Sequence, residues 1–123
     1  MAGKKKKKED MTPEELKAER VKTERNRLNR LLKDLDGNKK KAAAALVDRA
    51  AFMRIELDDL EARLAVDGWT EVYQNGREQS GIKKSAQAEV HISLTKNLTT
   101  VLKQLLELVP PEQKKSGLAA LRG

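Results

Sequence analysis

The chain has 123 residues, of which 37% are charged and 38% hydrophobic, and one Phe, one Trp and one Tyr are its only aromatic residues, so any core has to be built from aliphatic side chains. It contains no cysteine, which excludes disulfides, thiolate nucleophiles and thiolate metal sites. Residues 1–41 hold 15 of the 26 Lys and Arg and 8 of the 19 Asp and Glu, so the whole net charge of +7 lies there, which favours contact between this end and a polyanion.

The chain begins with a low-complexity segment that contains the run Lys4 to Lys8. Because such a run repels itself and cannot bury apolar area, we expect residues 1–11 to form a flexible basic tail. No apolar segment after it is long enough for a secretory signal or a membrane span, so we expect a soluble protein that does not enter a membrane.

A basic helix is predicted within residues 12–37, from Pro13 to about Leu35. Thr12 is suited to the N-cap, Pro13 to the first helical position and Glu15 to the capping box. Only the second half of this helix has a clear apolar face, formed by Leu28, Leu31, Leu32 and Leu35.

A second helix is predicted after Asp36-Gly37, with Asn38 as its N-cap and its end near Val66. Apolar residues recur along it at alternating steps of four and three, which is typical of a helix that packs along one stripe. Phe52 and Ile55 fall beside this stripe and are expected to widen it. We refer to the stripe as the heptad seam: Leu46, Ala50, Met53, Leu57, Leu60 and Leu64.

The segment 67–85 interrupts the helical pattern. Its residues alternate in direction over 69–74, and Asn75-Gly76 is typical of a two-residue type I′ hairpin turn, so a short β-hairpin or extended loop is predicted over 69–82. Trp69 and Tyr73 in this segment could stack on nucleic-acid bases, but packing at the end of a helical pair is the favoured interpretation.

A third helix is predicted from Ser85, its N-cap, to Pro110-Pro111. The second and third helices are similar in length and are expected to pair as a long antiparallel helical hairpin within residues 38–111. The predicted fold is therefore all-α, with three helices, a hairpin insertion and a flexible tail over residues 112–123. The apolar face of the third helix consists of Val90, Leu94, Leu98, Val101, Leu102, Leu105, Leu106 and Val109.

The residue types needed for catalysis are scarce. The single histidine, His91, has no cysteine nucleophile to activate, and there is no glycine-rich phosphate loop, so we expect no catalytic residues, no cofactor and no metal site. Asp58, Asp59 and Glu61 could suggest a metal site, but their spacing spreads them over one polar helix face, where solvated charges are expected.

The cations of the first 41 residues allow two interpretations. They could be a solvated helix face that pairs with the interleaved glutamates, or they could contact phosphates along a nucleic-acid backbone. Acidic residues become sparse after Glu24 while the cations continue, which favours DNA binding without base-specific readout. The expected contacts are Lys4, Lys5, Lys6, Lys7, Lys8, Lys22, Arg25, Arg27, Arg30, Lys33, Lys39, Lys40 and Lys41.

The apolar faces of the second and third helices also allow two interpretations, either the core of one chain or a contact between chains. Three helices of these lengths cannot cover such wide faces, so self-association is favoured. The expected interface residues are Leu46, Met53, Leu57, Leu60, Leu64, Leu98, Leu102 and Leu105.

Several short motifs occur together in a recognisable order. Residues 50–60 read AAFMRIELDDL, and Gly68, Tyr73-Gln74-Asn75-Gly76, Gln79, Gly81, Lys83 and Lys96-Asn97 follow before a leucine-rich helix that ends at proline. This series, from about Leu32 to Pro111, resembles the small subunit of the terminase of tailed bacteriophages.

The resemblance implies a non-catalytic DNA-binding subunit of the viral genome-packaging motor, working in the cytoplasm of the bacterial host. Such subunits form homo-oligomeric rings, recognise double-stranded viral DNA and deliver it to the large terminase subunit, which carries the enzymatic activities. Many of them have an N-terminal helix-turn-helix. The short Asp36-Gly37 connection departs from that pattern, so a basic arm is expected to bind DNA here. The alternative function is a helical structural or adaptor oligomer that does not bind nucleic acid.

Overall fold

The protein is described by a computed structural model over residues 7–111, which form three helices and one two-stranded antiparallel sheet. A 3-10 turn at Lys8–Asp10 precedes α1 (Pro13–Leu31) and α2 (Gly37–Asp67). The strands β1 (Thr70–Gln74) and β2 (Ser80–Lys84) follow, and α3 (Ala86–Glu107) is the last element. The described chain is thus mainly helical, as predicted. Most of tail 1–11, and all of tail 112–123, lie outside the described residues.

Side-chain caps begin the three helices, and two of them are the predicted ones. The Thr12 hydroxyl accepts a hydrogen bond from the Glu15 amide at 3.1 Å, and the Ser85 hydroxyl accepts one from the Ala88 amide at 3.1 Å. The prediction that Asn38 caps α2 is wrong. Asp36 does so, with its carboxylate accepting from the Lys39 amide at 2.9 Å, because Asp36 is the extended residue that precedes the first helical turn.

The helix α1 ends at Leu31, four residues before the predicted end at Leu35. At Leu32 the backbone turns away from helical geometry, with φ −104° and ψ 13°. This turn still directs Leu32 and Leu35 into the core beside Leu28, whereas Leu31 remains exposed. Three of the four leucines predicted to form one face therefore do so.

The core is built around α2, which contacts both α1 and α3. Five residues of the heptad seam, Ala50, Met53, Leu57, Leu60 and Leu64, are buried, and Leu46 is partly buried. Because helices pack on two sides of α2, Ala51 and Ile55 beside the seam are buried as well. Phe52 does not widen the seam as predicted, since 54% of its surface is exposed.

The predicted apolar face of α3 supplies the other half of this core. Leu98, Val101, Leu105 and the following Val109 are buried in the same cluster as Leu28. A smaller cluster joins Leu60 and Leu64 to Ala88 at the start of α3. The face is incomplete at Val90, which is half exposed.

The predicted hairpin is present, but its turn is longer than two residues. Thr70 pairs with Lys84, Val72 with Ile82 and Gln74 with Ser80. The Asn75 amide then donates to the Gln79 carbonyl at 2.7 Å, which leaves residues 76–78 as the loop. A type I′ turn needs two residues with positive φ, but within residues 7–111 only glycines have it, and Gly76 (φ 82°) is the one in this turn. The predicted turn type is therefore wrong.

Candidate nucleic-acid interface

The expected DNA-binding residues fall into three groups in the structure. Lys4, Lys5 and Lys6 lie outside the described residues, and Lys7 and Lys8 are exposed just before α1. Lys22, Arg25 and Arg27 lie on α1. The third group surrounds the connection between α1 and α2 and consists of Arg30, Lys33, Lys39, Lys40 and Lys41.

Ion pairs to α2 neutralise the first half of α1. Lys17 pairs with Glu56 and also lies 3.2 Å from Oδ2 of Asp59, whose Oδ1 accepts from Arg20 Nη1 at 2.6 Å. The hydrogen bond from Arg20, with further help from Lys17, lowers the pKa of Asp59, and the hydrogen bond to Glu56 raises the pKa of Lys17. These two cations therefore hold α1 against α2 and are not free to bind an external anion.

Two of the expected DNA contacts are also paired within the chain. Arg25 Nε lies 2.9 Å from Asp48 Oδ1 on α2. Arg27 donates two hydrogen bonds to Glu24, at 2.7 and 2.8 Å, and this contact raises the pKa of Arg27 above its ordinary value. A DNA phosphate would have to compete with these carboxylates, so both arginines are weaker candidates than the sequence predicts.

The connection between α1 and α2 carries cations of a different kind. Within residues 7–111 the side chains of Arg30, Lys33, Lys40 and Lys41 have no carboxylate oxygen within 4 Å, and all four residues are exposed. Exposed cations of this kind are available to phosphates, and their contacts would release counterions from DNA. We call this group the corner cations: Arg30, Lys33, Lys40 and Lys41. Lys39 beside them is partly buried, whereas Lys22 is exposed about two helical turns before Arg30.

The two hairpin aromatics contact side chains and backbone of the same chain. Trp69 meets the ring of His91 edge to face, with centroids 5.0 Å apart and planes at 81°, and His91 Nε2 lies 3.1 Å from Glu61 Oε2. Tyr73 covers Gly81 on the opposite strand so closely that an added Cβ would lie 2.8 Å from the Tyr73 ring. Both rings thus have a contact within the chain, while Trp69 is 49% and Tyr73 38% exposed.

The expected subunit-interface residues lie mainly inside a single chain. Leu46 and Leu102 are only partly buried, but Met53, Leu57, Leu60, Leu64, Leu98 and Leu105 belong to its own core. A side chain that already packs between helices of one chain has no surface to offer to a second copy unless those helices separate. A contact between copies would therefore depend mainly on more exposed residues at the edges of this core or outside it.

Sequence reasoning did not single out several exposed apolar residues, among them Phe52, Val66, Val72 and Ile82. Phe52 looked like part of the widened seam, and its exposure depends on where α1 and α3 cover α2. Val72 and Ile82 form a directly opposed pair on the hairpin. Their apolar character was visible in the sequence, but their pairing became definite only with the register of the strands.

The described residues contain no group of three or more His, Asp or Glu side chains arranged to hold a metal ion. The acidic group expected to be solvated is instead largely paired, since Asp59 binds Lys17 and Arg20, and Glu61 contacts His91. No helix within residues 7–111 combines the length and the hydropathy that crossing a membrane requires.

Comparisons of the chain with models of protein families, with curated proteins and with solved structures give no significant match.

Proposed function

We propose that the chain is the non-catalytic small subunit of a terminase, the genome-packaging motor of tailed bacteriophages. In this role it binds double-stranded viral DNA in the host cytoplasm and delivers it to the large terminase subunit. The ordered motifs between Leu32 and Pro111 support the terminase assignment. The distribution of paired and unpaired cations supports the DNA-binding part.

The observation that carries the DNA-binding proposal is the division of the basic residues into two sets. Lys17, Arg20, Arg25 and Arg27 are bound to carboxylates, so they stabilise the helical body. The corner cations have no such partner among residues 7–111, and five further lysines, Lys4 to Lys8, precede α1 in the sequence. Phosphate contacts from the corner cations and the lysine run would give affinity without reading base sequence.

The proposed assembly is a homo-oligomeric ring. The proposed scaffold in each subunit is a long antiparallel hairpin of α2 and α3, supported by the contact between these two helices. Exposed apolar side chains outside that core, such as Phe52, provide surface that self-association would cover. In a ring, the phosphate contacts of several copies act together on one DNA molecule. A modest number of contacts per chain would therefore suffice for tight binding.

A helical adaptor that does not bind nucleic acid is the competing function. Its support is the pairing of α1 with α2, because Lys17, Arg20 and Arg25 account for part of the basic character through intramolecular contacts alone. In this alternative the corner cations only keep the protein soluble or bind an acidic protein.

Duplex binding measured by fluorescence anisotropy over a range of salt concentrations distinguishes the two functions. If the four corner cations each neutralise one phosphate, the logarithm of the binding constant should fall against the logarithm of salt with a slope of about −3.6, and a steeper slope would indicate added contacts from Lys4 to Lys8. An adaptor would show no binding even at low salt. The mass of the native assembly, measured with and without duplex DNA, tests the ring separately.

Removing residues 1–41 would not be a clean test. That deletion also removes Leu28, Leu32 and Leu35, which are buried in the core, so lost binding could reflect lost structure. Substitutions that remove the charge of exposed corner cations without touching the core avoid this problem.

A further inference from the structure

The β-hairpin presents an apolar pair that the described residues do not cover. Val72 and Ile82 lie directly opposite each other on β1 and β2, and they are 76% and 73% exposed. A two-stranded hairpin is marginally stable by itself and normally packs its apolar face against another element. These two side chains are therefore suited to a contact outside their own chain.

A groove on the helical body offers a complementary surface. It has a volume of about 520 Å³ and lies between α2 and α3. Its apolar lining comes from Met53 and Val101, which are buried, and from Phe52, which is more than half exposed. A large aromatic side chain in the middle of a helix gains little from such exposure, so an apolar occupant would be favourable.

The charges beside the two surfaces are also complementary. The groove is lined by Asp48 and Arg49, and the loop at the tip of the hairpin carries Arg77 and Glu78. Within residues 7–111, Arg49 has no carboxylate within 4 Å and Glu78 has no cation within that distance. A hairpin seated in the groove can therefore bring Glu78 towards Arg49 while its apolar pair meets Phe52.

The two surfaces do not meet within one chain. Phe52 lies 15 residues before the end of α2 at Asp67, which corresponds to about 22 Å along the helix, and the hairpin begins beyond that end. Both surfaces are exposed in the same molecule. The occupant that has the required apolar pair and charges is thus the hairpin of a second copy.

We propose that the hairpin of one copy docks through Val72 and Ile82 into the Phe52 groove of the next copy. Because the two surfaces differ, the contact is head to tail, and a pair of copies keeps one free hairpin and one free groove for further neighbours. Such a contact either closes into a ring or extends as a filament. The inference rests on the self-association proposed above and identifies the surfaces that make it.

Two variants of the full chain, each lacking one surface, test the proposal. Phe52→Glu places a charge in the groove while keeping a good helix former, and the double variant Val72→Thr/Ile82→Thr removes the apolar pair while keeping β-branched strand residues. The matched control is Val90→Glu, which adds the same charge at another half-exposed apolar residue outside both surfaces. Circular dichroism checks that all variants keep the helical content of the wild type.

Sedimentation velocity then measures assembly. The dissociation constant of the assembly should rise about ten- to a hundredfold in each variant, the factor expected for one lost apolar contact. The Val90→Glu control should assemble like the wild type. An equimolar mixture of the two variants should form dimers and nothing larger, because it restores one intact hairpin-groove contact. A mixture that stays monomeric, or a variant that assembles like the wild type, would overturn the proposal.

A photo-crosslink identifies the occupant directly. With p-benzoylphenylalanine in place of Phe52, mass spectrometry should find crosslinks to residues 70–84 of another copy. Crosslinks to residues 112–123, or none between copies, would refute the hairpin as occupant. A wild type that is monomeric at all concentrations would also remove the proposed ring, whereas an oligomer unaffected by both variants would leave the ring standing and refute only this contact.

Discussion

Replacing Asp59 by asparagine tests whether ion pairs anchor α1 to α2. Asp59 accepts from Arg20 at 2.6 Å and lies 3.2 Å from the Lys17 ammonium, and its side chain is 27% exposed. Since both cations are more than a third exposed, solvent screening limits each pair to about 0.5 kcal/mol. We therefore expect Asp59→Asn to lower the free energy of unfolding at pH 7 by about 1 kcal/mol, or roughly 4 °C in the melting temperature.

The neighbouring residue provides the control. Asp58 is more exposed, and its one ion pair among the described residues, to Arg54 one turn earlier, spans 4.0 Å. Asp58→Asn makes the same change of charge and side chain, but it should cost only about 0.3 kcal/mol. Urea denaturation followed by circular dichroism, at one protein concentration, compares the two variants.

The pH dependence gives a second criterion. The pKa of Asp59 is lowered in the folded state, chiefly by the hydrogen bond from Arg20, so its stabilisation is complete above the unfolded pKa near 4 and is lost as the pH falls through the lower folded pKa. The difference between Asp59→Asn and the wild type should therefore shrink as the pH falls below 4 and disappear once Asp59 is protonated in the folded state as well. Equal effects of the two variants at pH 7, or an Asp59 effect that persists unchanged in acid, would refute this account of the anchor.

Three further substitutions test the fold. Leu105→Ala, at a fully buried position, should cost about 2–5 kcal/mol in urea denaturation, and a cost similar to that of the half-buried Leu102→Ala would place Leu105 outside the core. Ser85→Ala should cost about 1 kcal/mol because the Ala88 amide loses its cap, and an unchanged melting temperature would contradict this. Gly76→Ala, at φ 82°, should weaken the hairpin by about 1 kcal/mol, whereas Gly37→Ala should not be destabilising; faster amide exchange in β1 and β2 would report the difference.

The features that the sequence predicted correctly depend on neighbouring residues. Thr12 and Ser85 cap helices because the hydroxyl and the amide it accepts from are three residues apart. The strands around Val72 were also predicted from nearby residues, because side chains along a strand point alternately to its two faces in the order of the sequence. The four-three spacing likewise identified the apolar face of α2, but the favoured interpretation placed that face between chains, whereas most of it is buried within one chain.

The features that were missed depend on residues far apart in the chain. Arg20 and Asp59 are 39 residues apart, so their pairing could not be seen before the packing of α1 on α2 was known. Phe52 and Ile55 flank the same seam, yet only Ile55 is covered, because the position of a neighbouring helix decides which flank is buried. The Asn75-Gly76 turn failed because the strand register placed Asn75 opposite Gln79.

The candidate DNA site illustrates the same limit. The concentration of net charge in residues 1–41 was evident from composition, but composition cannot tell which cations have partners. The structure separates Arg25 and Arg27, which are paired, from Lys33, Lys40 and Lys41, which are exposed. This separation turns a general basic character into a specific set of residues for mutation.

The salt dependence of DNA binding by two triple variants tests the central claim most directly. The first variant is Lys33→Gln/Lys40→Gln/Lys41→Gln, and the control is Arg63→Gln/Lys96→Gln/Lys103→Gln, which removes the same charge from exposed residues of α2 and α3. The corner variant should reduce the steepness of the salt slope by about 2.7, whereas the control should leave it nearly unchanged. Equal slopes and equal losses of affinity in the two variants would show that overall charge, and not the corner, binds DNA.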